Sequence, residues 1–287
     1  MEFKHTATRS GRLSAILRED MGLSAGLVNR LKWQDKLFVN GAPQRTNYPV
    51  KAGDTVSVPL DDPAPSYPAE DGPLTVIYED DHLLAVDKPA GMLIHPSRSR
   101  LTGTLANLVA GYYERTGQAC AFHPITRLDR DTFGIVLLAK NAHIHALLNQ
   151  LHQQGGFRKT YHAYVFGGPM EDSGRIDAPI ARLPLPSLLR QVSETGKPSV
   201  TEFSVLQRQD TIAKLALRPI TGRTHQLRVH CAYMGFPILG DPQYHSPESF
   251  AYSREAGLDS QLLCAKSLEF SHPVTGAPLR LLSHLEP

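Results

Sequence analysis

The chain has 287 residues, with 30 Lys and Arg against 28 Asp and Glu, for a formal net charge of +2. Hydrophobic residues make up 41% and charged residues 20%, the balance of a chain that buries a core, which excludes intrinsic disorder, a collagen repeat and a coiled coil. The longest apolar run is about six residues, 134–139, far short of the roughly 20 that a bilayer-spanning helix needs, so no membrane segment is expected.

The opening stretch, MEFKHTATRSGRLSA, has no apolar centre, so a secretory signal is not expected and a cytoplasmic location is. Residues 1–60 hold nine Lys and Arg against five Asp and Glu, a basic head. Apolar Leu13, Ile16 and Leu17 predict a helix through LSAILRED. Ser24 is a natural N-cap for a second helix, AGLVNRLKWQ, which carries Arg30 and Lys32. A strand (LFVNG), a turn at Asn40-Gly41 and a strand (DTVSVPL) follow. Residues 61–73, DDPAPSYPAEDGP, hold four acids, four prolines and no base, the composition of a stiff linker. Residues 74–287 then form one large domain.

In that domain, strands are predicted at 74–78, 82–87, 134–139, 161–167, 200–206 and 212–219, and helices at 103–115, 141–153 and 224–234. Asn141 caps the second of these helices and Gly155-Gly156 ends it. Strands outnumber helices and do not alternate with them regularly. The predicted class is therefore α+β, with a mixed, largely antiparallel sheet and a small α/β head. No GxGxxG or Walker A string occurs, so no nucleotide cofactor is expected. Cys120, Cys231 and Cys264 form no CxxC pair and read as buried free thiols. His143 and His145, two apart on a helix, face different sides and do not make a metal pair.

The densest chemistry lies in Arg127-Leu128-Asp129-Arg130-Asp131-Thr132-Phe133-Gly134. Two carboxylates and two guanidiniums fall within five residues, just before an apolar strand. Read alone, this is either a solvated loop with weak local ion pairs or a site. The string resembles the H-R-L-D-x-x-T-S-G motif of the RluA family of pseudouridine synthases, with Thr126 and Phe133 where histidine and serine are usual. Further segments agree in order: Asp87-Lys88-Pro89-Ala90-Gly91 with His95-Pro96; Lys159-Thr160-Tyr161-His162-Ala163; Thr221-Gly222-Arg223-Thr224-His225-Gln226-Leu227-Arg228-Val229-His230; and Leu263-Cys264-Ala265, with Cys264 in place of histidine. The head resembles the S-four RNA-binding module through Gly22-Leu23-Ser24, Val39-Asn40-Gly41 and Gly53-Asp54-Thr55-Val56.

The resemblance implies a pseudouridine synthase fold and an isomerase without metal or cofactor. It maps the catalytic aspartate onto Asp129, the base-gripping aromatic onto Tyr161, and the arginine that keeps the carboxylate ionised onto Arg223. Arg127, Lys159, His225 and Leu263 are expected to bind substrate. The chemistry fits these residue types. Breaking a glycosidic bond and rejoining the base through carbon 5 needs one placed carboxylate, and a neighbouring guanidinium lowers such a carboxylate's pKa. The expected partner is structured RNA, with large-subunit ribosomal RNA ahead of transfer RNA, and the expected state is a monomer. Basic clusters at Arg98 and Arg100, Arg127 and Arg130, Arg158 and Lys159, and Arg223 and Arg228 would meet the phosphates. An inactive RNA-binding or ribosome-assembly protein of the same fold is the alternative. An aspartate-nucleophile glycosidase is disfavoured, because it would want two carboxylates facing across the scissile bond.

Overall fold

The computed structural model of the protein describes residues 2–60, 67–97, 100–184 and 186–287. Six residues of the expected linker, 61–66, and Arg98 lie outside the described residues.

The head collects its apolar side chains around Leu13, Ile16, Leu17, Val56 and Val58, all fully buried. Ser24 caps the Ala25–Trp33 helix as expected, its side chain accepting from the Leu27 amide at 3.2 Å. The first helix departs from expectation. It opens as an α-turn at Leu13–Ala15 and widens to π-helical Ile16–Asp20. The wider turn lets Ile16 and Leu17 face inward together while Met21 N donates to Ile16 O at 3.0 Å. A strand the sequence did not announce, Glu2–Thr6, pairs antiparallel with Thr55–Pro59. Only Phe3 among its residues is buried, too weak a pattern to read. Its ring lies 5.9 Å from the His82 ring and 5.3 Å from that of His143, so the head rests on the body. Val274 packs against both cores.

The body is built on one ten-stranded mixed sheet. Its main path runs Ser173–Asp177, Val200–Gln209, Ile212–Pro219, Arg158–Phe166, Leu263–Ser271, Phe133–Ala139, Leu83–Lys88 and Thr75–Glu79. Neighbours are antiparallel except Phe133–Ala139 beside Leu263–Ser271. That parallel seam is two residues long, Phe133 facing Cys264 and Gly134 facing Ala265. The expected strands and helices are all present, with the third helix starting later, at Gln226–Tyr233. Leu263–Ser271 at the sheet centre and the Pro247–Glu255 helix were not foreseen. The latter carries a legible signal, Ser246 in a capping box with Pro247 behind it. Leu105–Arg115 covers one face of the half-sheet beyond the seam and Ala142–Gln153 the other. All three cysteines are buried thiols outside any disulfide.

Gly134 makes the seam possible. Its φ is +105°, and a Cβ there would lie 2.5 Å from the Ala265 carbonyl oxygen. Gly134→Ala is therefore expected to cost about 2–5 kcal/mol, the sum of backbone strain and overpacking. Denaturant unfolding checks this, and a change under about 1 kcal/mol would show that the seam yields freely.

Burial holds His82, His143 and His230 below the ordinary histidine range. An unfolded histidine titrates near 6.5, so between that pH and the lower folded values the unfolded chain binds more protons. Stability must fall as pH drops through this window. The melting temperature at pH 5.5 is expected to lie below that at pH 7.5; equal values would contradict the buried, neutral rings. Glu286, held down to about 2 chiefly by a hydrogen bond from Lys266, loses its contribution only below about 4.5 and does not blur the comparison.

Candidate active site

The loop before the seam carries the aspartate. It is tied down on both sides. Lys88, fully buried at the end of Leu83–Lys88, donates to Pro89 O at 2.9 Å, Met92 O at 2.9 Å and Arg130 O at 2.8 Å. Burial pulls its pKa down to about 8, so it stays protonated at neutral pH, and its three protons match the three carbonyls. On the other side Gln261 donates to Thr132 Oγ1 at 2.9 Å. Thr126, where histidine is usual in the resembled motif, accepts from the Leu137 amide at 3.0 Å. Arg130 and Asp131 form a two-pronged surface pair at 2.9 Å on each arm, the plain ion pair the sequence allowed. Asp129 takes no part in it.

Instead, Asp129 ends a line of buried charge. Arg228, on the Gln226–Tyr233 helix, grips Asp241 with Nε at 2.7 Å and a terminal nitrogen at 2.8 Å. The same terminal nitrogen reaches Gln243 Oε1 at 2.9 Å, and the other donates to Asp129 Oδ2 at 3.3 Å. Side-chain exposure rises along the line, 0% at Asp241, 5% at Arg228 and 31% at Asp129, so the charge surfaces only at Asp129. Burial disfavours the guanidinium, and the two carboxylates outweigh it, holding Arg228 above its ordinary pKa.

This corrects one expectation. Arg223 is exposed, and its Nε donates to Pro198 O at 3.2 Å. The arginine on Asp129 is Arg228. The reason is local geometry. His225 takes a left-handed conformation, φ 58°, and the helix begins behind it. Arg223 is left on the outer side of the turn and Arg228 on the inner face of the helix. Gln226 fixes the turn, accepting from Thr221 Oγ1 at 2.7 Å and Arg223 N at 3.0 Å and donating to Val200 O at 2.9 Å. His230 is a buried strut between Thr201 Oγ1 and Ala178 O, 2.9 Å from each. Asp241 and Tyr244, in the string Gly240-Asp241-Pro242-Gln243-Tyr244, went unread; a carboxylate straight after the apolar run Phe236-Pro237-Ile238-Leu239 was the available signal.

The other expected residues meet in one cleft of about 520 Å³, in the usual range for ligand sites. Asp129, Arg127, Lys159, Tyr161, Arg223, His225 and Leu263 all line it. His225 Nε2 is 3.8 Å from Asp129 Oδ2. Tyr244 Oη accepts from Arg190 N at 2.8 Å and forms a hydrogen bond with His225 Nδ1 at 2.9 Å. Burial lowers the pKa of His225 and Asp129 opposes the shift. Tyr161 is pushed well above the ordinary phenol range by burial, then by the charge of Asp129, so its hydroxyl is protonated at neutral pH. The cleft thus offers one accessible carboxylate backed by a guanidinium, with a phenol ring and an apolar Leu263 beside it.

Comparison with known proteins points the same way. A family described as RNA pseudouridylate synthase matches residues 82–233. The uncharacterized RNA pseudouridine synthase YjbO of Bacillus subtilis is 36% identical over 264 residues, covering 91% of each chain. Ribosomal large subunit pseudouridine synthase D of Xanthomonas campestris is 36% identical over 252 residues, 85% of this chain and 76% of that one. Among solved structures, human RNA pseudouridylate synthase domain containing 1 shares the fold with a TM-score of 0.59 at 24% identity, over 76% of this chain and 93% of that one.

Proposed function

The chain belongs to the RNA pseudouridylate synthase family, and from that premise we propose that it isomerises uridines of large-subunit ribosomal RNA, with Asp129 as the catalytic carboxylate. The observation that carries the assignment is the position of Asp129 at the open end of the Asp241–Arg228 pair, in the cleft lined by Tyr161 and Leu263. Arg228 orients the carboxylate by donating to its Oδ2, and a carboxylate so held can attack. The bond from ribose carbon 1 to uracil N1 breaks, the base turns, and a bond from the same ribose carbon to carbon 5 replaces it. The proton on carbon 5 leaves and N1 gains one, so the isomerisation balances without an outside reactant. In this reading Tyr161, which lines the cleft, stacks on the extruded base, which loses a few kcal/mol on leaving its helix. Arg127 and Arg223, exposed at the rim, suit phosphate contacts.

The ribosomal substrate is supported by the relatives named ribosomal large subunit pseudouridine synthases D and C. Residues 1–60, basic by nine to five, are read as an S-four-like module that adds RNA contacts, and 74–287 as the catalytic domain of a monomer. The test is tritium release from transcripts labelled at uracil carbon 5. Release from large-subunit ribosomal RNA is expected. Release from transfer RNA alone would move the substrate, and none from either would leave an inactive RNA-binding protein.

A further inference from the structure

The Asp129 cleft extends along the Arg158–Phe166 strand toward a group of side chains that the isomerisation does not use. Phe157, Lys159 and Tyr161 line the cleft, whereas Arg158, Thr160 and His162 do not. Alternate residues of a strand share a face at about 3.3 Å per residue, so Lys159 stands about 7 Å from Tyr161 along the strand and Phe157 about 13 Å. Phe157 is anchored beneath, 5.1 Å from the Phe270 ring. Above it lies the His152 ring, 5.3 Å away and only 16° from parallel. His152 ends the Ala142–Gln153 helix and is exposed. Lys159 Nζ lies 3.2 Å from His152 Nε2, which accepts its hydrogen bond; burial and then the Lys159 charge hold the imidazole below its ordinary pKa. Among the described residues Nζ has no carboxylate partner.

These features form a graded series: an aromatic ring beside the carboxylate, a cation one step away, and a second flat, solvent-facing ring a further step along. Consecutive nucleotides of an extended strand present base, phosphate and base in that order. Resting on the reading that an RNA uridine enters at Asp129, we infer that His152, stacked on Phe157, is a platform for the base of the nucleotide next to the target, with Lys159 on the phosphate between them. A neutral ring suits this role, because stacking takes any base face and leaves sequence choice to other contacts. Burial pulls Lys159 down to about 8, still protonated at neutral pH.

The test uses the full chain and fluorescein-labelled pentauridine, read by anisotropy, beside tritium release from labelled large-subunit ribosomal RNA. His152→Ala is expected to weaken pentauridine binding by about tenfold or more, and His152→Phe, which keeps a ring, to bind within about twofold of wild type. Lys159→Gln is expected to flatten the salt dependence by about 0.7 of a unit of slope, one phosphate contact on a single strand. Both variants should raise KM for ribosomal RNA, and His152→Ala, farther from Asp129, should do so with kcat kept. Wild-type affinity in His152→Ala, failure of His152→Phe to restore it, or an unchanged salt slope in Lys159→Gln would overturn the platform. The two readings fail separately. Tritium release by wild type with no effect of either variant removes the platform and keeps the isomerase. Weakened pentauridine binding with no tritium release from any RNA removes the isomerase and keeps the platform.

Discussion

Asp129→Asn is expected to release less than about 1% of the tritium that wild type releases, with RNA binding and fold retained. The amide has nearly the carboxylate's shape but can neither attack carbon nor take up a proton at neutral pH, and losing an essential nucleophile costs well over a hundredfold. Folding should survive because Arg228 keeps its two contacts to Asp241 and one to Gln243 when its single contact to Asp129 weakens. Unfolding curves within about 1 kcal/mol of wild type would separate lost chemistry from lost structure. Turnover above about 1% would remove Asp129 from the reaction.

Arg228→Lys is expected to lower turnover about a hundredfold, against less than about threefold for Arg223→Lys. An ammonium is a point charge on a flexible stem and cannot hold Asp241 by two arms while reaching Asp129 by a third. Arg228→Met should go further and destabilise the fold by about 3–5 kcal/mol, because it leaves the fully buried Asp241 carboxylate uncompensated. Arg223 has solvent on one side and one carbonyl partner, so its substitution should appear in KM for RNA. Single-turnover rates of both lysine variants decide the matter. The opposite order would return the positioning role to residue 223.

Much of this site was legible because its residues sit in local strings. Asp129 precedes a run of buried apolar residues, Phe133–Ala139, and Tyr161 and Lys159 share a strand face, features a linear pattern expresses. The choice between two arginines five positions apart was not legible. It depends on the backbone sign at His225, a non-glycine residue at positive φ that sequence does not flag. Asp241 was missed for a related reason. Its partner is thirteen positions away and its role exists only once helix and loop have met. In the fold, strands with alternating or continuous apolar patterns were found, whereas Leu263–Ser271 mixes Lys266, Ser267 and Glu269 into the sheet centre. Lys266 tolerates that place because its Nζ reaches Ser283 O at 2.8 Å and Leu285 O at 3.1 Å.

The two-residue parallel seam bears on how the molecule assembles. It joins Phe133 to Cys264 and Gly134 to Ala265, partners 131 positions apart in the chain. The hairpin pairings on either side, such as Thr75–Glu79 with Leu83–Lys88 and Val200–Gln209 with Ile212–Pro219, close over a few residues. Loop closure costs more entropy as the loop lengthens, and contacts remote in sequence slow folding. The half-sheets should therefore gain their strands first and the seam last. Because Asp129 hangs from one side of the seam and Leu263 from the other, a refolding chain should regain β-sheet circular dichroism well before it regains catalysis, and a nascent chain should be unable to modify RNA until its last strands have emerged.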